Sequence, residues 1–75
     1  MRQFTYTVLI EQDETGSYIA KVPDLKGCHT HARSIPELLK RVREAIELCL
    51  EDMQAHGEVI PDPSRVLVGS VAVTR

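Results

Sequence analysis

At 75 residues with a formal net charge of −2, the chain has room for one apolar core and carries no broad electropositive field. That balance argues against direct DNA or RNA binding, which draws its affinity from phosphate neutralisation by Lys and Arg. A chain this short hides only about 60% of the surface its unfolded form exposes, so a homodimer or higher homo-oligomer is the expected supplement to its stability.

Phe4, Tyr6, Val8 and Ile10 alternate with Thr5, Thr7 and Leu9, the period of two that predicts a half-buried strand over 4–10. "EQDETGS" interrupts it as a hairpin loop, and Tyr18, Ala20 and Val22 then alternate with Ile19 and Lys21 as a second strand that Pro23 ends. "PDLKG" reads as a turn, because Pro23 fixes its φ and Gly27 tolerates left-handed backbone. A third short strand is predicted over 28–32.

Ser34 begins a helix. "SIPE" places a hydroxyl at the N-cap, a proline in the first turn and Glu37 at N3, the pattern of a capping box. The helix is predicted to run to about Ala55, with His56-Gly57 as its stop. Ile35, Leu38, Leu39, Val42, Ala45, Ile46, Cys49, Leu50 and Met53 share one apolar face that must cover the sheet. Glu37/Arg41 and Lys40/Glu44 have the spacing of i,i+4 ion pairs on the other side. Two prolines make "GEVIPDPS" a loop, and "RVLVGSVAV", Arg65 to Val73, is predicted as a fourth strand, apolar on both faces.

His29 and His31 stand at i and i+2 of a strand and so share a face, which makes them candidates to hold a metal at the strand-helix corner; no third ligand lies beside them in sequence. Cys28 points to the opposite face from His29, which excludes a nucleophile-base pair. Cys28 and Cys49 lack CxxC spacing and read as reduced, packed thiols, although sequence leaves their pairing open. No acyl-transfer, phosphoryl-transfer or dinucleotide motif is present, so no enzyme activity and no cofactor are expected. Glu11, Asp13 and Glu14 gather at one hairpin, where they suit a solvated loop, a divalent ion or a basic partner. Leu48 falls outside the apolar face, and with Ala45 it offers a small spot for a subunit contact. No apolar run approaches the roughly 20 residues needed to cross a bilayer, and acids precede any cleavage site, so a cytoplasmic chain with no membrane partner is expected.

Together, "YTVLIEQDETGSYIAKVPDLKGCHTHARSIPELLKRVREAIELCLE" resembles the core of the HicB-type antitoxins. The shared features are the first strand, the "G-Y-x-A-x-V-P-D-L-x-G-C" hairpin and turn, the helix segment "E-A-I-E-L-x-L-E", and "IPDPS", which is similar to the family's "IPEPS" loop. The resemblance implies an α+β domain of β-β-β-α-β order like a partial RNase H fold, spanning residues 1–75, with one helix on a mostly antiparallel sheet. It also implies strand order 3-2-1-4, with strand four parallel to strand one. RNase H activity does not carry over, because strand one offers no carboxylate for a two-metal site.

The family's usual task implies a partner: a small HicA-type, mRNA-cleaving ribonuclease whose RNA-facing surface and catalytic histidine the antitoxin covers. On position and charge, Glu11, Asp13, Tyr18, Asp24 and Leu25 are the expected contacts. Full-length relatives commonly append a DNA-binding segment; here the given sequence stops after strand four, and no appended DNA-binding domain is expected. The alternative reading is an orphan homo-oligomer that binds a metal or small molecule at the corner formed by His29 and His31.

Overall fold

The computed structural model describes residues 3–63 and 67–75. Three strands, β1 (Leu9–Gln12), β2 (Tyr18–Lys21) and β3 (His29–Ala32), form one antiparallel sheet in the order β1-β2-β3, followed by helix α1 (Ile35–Ala55). This is the α+β arrangement expected of the chain.

β1 starts later than its alternation predicts and continues through Gln12, which pairs with Tyr18. A strand extends only as far as its neighbour can supply hydrogen bonds, and Pro23 ends the neighbour soon after Lys21, the partner of Leu9. The alternation of residues 4–8 still sorts their faces: Tyr6 and Val8 pack against the core, and Phe4 stacks on Tyr6 with ring centroids 6.2 Å apart.

The turn between β2 and β3 is held by Leu25 N–H donating to the Val22 carbonyl (3.1 Å) and Cys28 N–H donating to the Leu25 carbonyl (3.1 Å), with Gly27 at φ 76° where a side chain would be strained. α1 begins as expected. The hydroxyl of Ser34 accepts from the N–H of Glu37 at 3.4 Å. Glu37 pairs forward with Arg41. The helix closes in a Schellman motif, in which Gly57, at φ 70°, lets Glu58 N–H reach the Met53 carbonyl (2.8 Å) and its own N–H reach Gln54 (3.1 Å).

The core joins one face of β2 and β3 to the helix: Ala20, Val22, Cys28 and Ala32 meet Leu38 and Val42, and Leu25 folds in from the turn. α1 packs over β3 and β2 but not over β1. Leu39, expected inside, is 50% exposed.

The expected fourth strand is a correction to the sheet. Arg65 and Val66 lie outside the described residues, and 67–75 is neither helix nor strand; every residue of it is exposed, and it does not take the place beside β1 that the 3-2-1-4 order required. Its side chains fit a strand, but a strand needs an edge to pair with, and this segment pairs with none of β1, β2 and β3.

Candidate functional site

The sheet has one face against the helix and one left open. Cross-strand register arranges the open face in two rows, Leu9–Lys21–His29 and Glu11–Ile19–His31. Lys21 Nζ lies 3.9 Å from Glu11 Oε1 diagonally across this face, and both groups are more than half exposed, so the pair contributes little to stability. What remains is a shallow surface with an acid at one border, two imidazoles at the other and aliphatic side chains between. Among the described residues no helix or strand covers it.

His29 and His31 do share a face, as their spacing predicts. Among the described residues no group of three or more His, Cys, Asp or Glu side chains is placed to hold a metal ion. At the strand-helix corner there is a polar cleft of about 370 Å³ lined by Ser17, His31, Ala32, Arg33, Glu37 and Arg41. Arg41 spans it, donating from Nη1 to the His31 carbonyl at 2.9 Å while its guanidinium also pairs with Glu37. The corner is thus tied together by the side chains that line it.

The five expected partner contacts do not form one patch. Glu11 is exposed on the open face. Asp13 is engaged inside the hairpin loop: its Oδ1 accepts from Thr15 Oγ1 (2.7 Å), Thr15 N–H (2.9 Å) and Ser17 N–H (3.0 Å). The Thr15 hydroxyl, ahead of the backbone donors, holds the Asp13 carboxyl below the usual carboxylate range. Tyr18 lies on the helix side of the sheet, half-buried against the core. Asp24 sits in the turn at the opposite end of β2 from Asp13, with Oδ2 buried and no hydrogen-bond partner among the described residues. Leu25, at 2% exposure, belongs to the core.

Of the two residues expected at a subunit contact, Ala45 packs against the core, whereas Leu48 is 66% exposed. The side chains missed by sequence reasoning are Leu9, Ile19 and Lys21. Their common parity with Glu11 was readable, but grouping them with His29 and His31 required the register of both hairpins.

Cys28 is buried beneath the helix and Cys49 is half-buried; both are free thiols. Burial, reinforced by the neighbouring Cys49 thiol, pushes Cys28 up to about 11, which keeps it protonated and inert near neutrality. Among the described residues no helix is long and apolar enough to cross a membrane.

A three-stranded sheet with one bare face suits recognition of another macromolecule, and comparison with known proteins supplies the context. The profile described as a HicB-like antitoxin of bacterial toxin-antitoxin systems matches residues 6–71. The chain is 59% identical over 46 residues to a UPF0150 protein of Archaeoglobus fulgidus, covering 61% of this chain and 67% of that one. It is 48% identical over 54 residues to a UPF0150 protein of Synechocystis, covering 72% and 78%. A UPF0150 protein of Thermoplasma acidophilum is 43% identical over 56 residues, covering 75% and 81%. With nearly the whole of its hairpins, helix and following loop matched, the chain belongs to the HicB-like antitoxin family.

Proposed function

We propose that this chain is a non-catalytic antitoxin that binds a small HicA-type, mRNA-cleaving ribonuclease and covers its RNA-facing surface and catalytic histidine. The observation that carries the reading is the family match over residues 6–71. Two physical features support it. The open face of the sheet is covered by no helix or strand among the described residues, and the hairpin beside it carries Glu11 and Glu14 exposed to solvent. A ribonuclease must present cations to hold RNA, so carboxylates at the border of a docking face steer it toward the surface that RNA would occupy. Asp13 contributes by fixing the loop that displays those acids, and Asp24 contributes at the far turn. Acting on a messenger-RNA nuclease places the protein in the cytoplasm. The reading needs no cofactor, membrane partner or direct nucleic-acid contact.

Two apolar surfaces are exposed and available for self-association, Leu48 and the segment 67–73. The test of the antitoxin role is inhibition: purified chain mixed with the small ribonuclease encoded beside its gene should suppress RNA cleavage at stoichiometric amounts. Glu11→Lys with Glu14→Lys should weaken that inhibition most at low salt, because exposed charges act through a screened field. Undiminished cleavage in the presence of excess wild-type chain removes the role.

A further inference from the structure

The segment 67–73 has the composition of a strand and, among the described residues, no strand partner. Leu67, Val68, Val71 and Val73 are between 68% and 91% exposed, although β-branched and aliphatic residues at this density belong in half-buried sheet. Strand geometry would put Leu67, Val71 and Val73 on one face and Val68, Ser70, Ala72 and Thr74 on the other, so one side is distinctly more apolar. The radius of gyration is 14.2 Å, against about 11 Å for a compact chain of this length, and the molecule is 46 Å long against 28 and 20 Å across. An exposed apolar segment of this kind is a template for pairing, which native proteins cover.

The sheet has an edge to match. The outer edge of β3 is already approached by Arg41, whose guanidinium takes the His31 carbonyl. The outer edge of β1 has no neighbouring strand among the described residues, and α1 does not extend over β1. Ile10, which is cross-strand partner to the buried Ala20 and so lies on the helix side, is left exposed. A groove of about 640 Å³ opens between the segment that leads into β1, at Gln3, Phe4 and Tyr6, and the helix, with Val42, Ile46 and Leu50 on its helical wall.

We propose that the arm 67–73 of one copy adds as a fourth strand to the β1 edge of a second copy, with Leu67, Val71 and Val73 turned into the groove under α1, and that the exchange is reciprocal. Each copy then supplies the strand the other lacks. The arm and the edge are complementary in hydrogen bonding and in apolar character, and the arm pairs with none of the three strands of its own sheet. This inference concerns self-assembly and stands apart from the toxin reading.

Light scattering tests the assembly and filtered NMR tests the exchange. Wild-type chain should have twice the mass of the single chain, and Leu67→Asp with Val71→Asp should reduce it to the single-chain mass at the same concentration, with helical circular dichroism retained because both residues are exposed. Leu48→Asp should leave the doubled mass intact. In a mixture of isotope-labelled and unlabelled wild-type chains, contacts between the Ile10 or Ile46 methyls and those of Leu67 or Val71 should appear across chains. A monomeric wild type, a mass insensitive to the arm substitutions, or arm-to-groove contacts found only within one chain overturns the proposal.

Discussion

Leu25→Ala separates a core leucine from a surface one. The side chain is 2% exposed and meets the sheet-helix core from within the turn that follows β2. Truncating a leucine in such a place costs about 2–5 kcal/mol, made up of lost transfer energy and the cavity left behind. Shallow depressions flank Leu25 on two sides, one of about 340 Å³ shared with Pro23 and Cys28 and one of about 260 Å³ shared with Cys49 and Met53. Neighbours can therefore relax into the vacated space, which puts the loss near the low end, about 2–3 kcal/mol. For a domain of 75 residues the total stability is about 4–11 kcal/mol, so the substitution removes a large fraction of it. At about 4–8 °C per kcal/mol, the melting temperature should fall by about 10–20 °C. The assay is thermal unfolding followed by far-UV circular dichroism, with chain concentration held fixed because self-association makes the midpoint concentration-dependent. A shift below about 4 °C, accompanied by loss of partner binding, would refute the core assignment and return Leu25 to the interface.

Two further predictions rest on titrating groups. Cys28 ionises at about 11 in the folded chain against 9.0 for a free thiol, so unfolding releases a proton between those values and stability falls as pH rises above 9.0. Alkylation at mildly alkaline pH should accordingly modify Cys49 first and Cys28 only on unfolding, and equal rates measured by peptide mass spectrometry would contradict this. His56 is held above its usual 6.5, first by its Nδ1 contact with the Asp52 carbonyl (2.8 Å) and then by the Asp52 carboxylate and Glu58. Its contribution to stability is fully present below 6.5 and is lost as pH rises through the raised value. Asp52→Asn should remove only the Coulombic part, so NMR titration of the imidazole should show a downward move that stops short of the free value; no move at all contradicts the assignment.

Helix α1 was legible to the residue because its limits are local: a hydroxyl at Ser34, Pro36 in the first turn and Gly57 after the last are each read within a few residues of where they act. The strand faces were legible for a similar reason, since parity survives even where pairing does not. Pairing itself was not. Whether residues 4–8 join β1 depends on how far β2 runs before Pro23, and whether 67–73 forms a strand depends on which edge it meets. Leu25 lies between Asp24 and Lys26 in a proline turn, a composition that suits the surface; its burial follows from the turn folding back over the core. Asp13 was half legible. An aspartate followed by Thr15 and Ser17 is a recognisable side-chain cap for a loop, yet charge alone drew it into the partner surface.

The two proposed surfaces, the open face and the β1 edge, do not compete. A strand added at an edge lies in the plane of the sheet. With the Leu67 side of the arm under the helix, Val68, Ser70, Ala72 and Thr74 join the open face beside Leu9 and Glu11 and widen it from three strands to four. A partner that rests on this widened face touches residues of both chains, and a partner that binds the paired form in preference to the single chain must stabilise the pair by the same free energy. Arm substitutions should then weaken partner binding without altering a single acidic contact, whereas Glu11→Lys should weaken partner binding and leave the mass unchanged. The asymmetry between those two variants, read in one binding assay and one mass measurement, distinguishes a face built by two copies from a face that each copy carries complete.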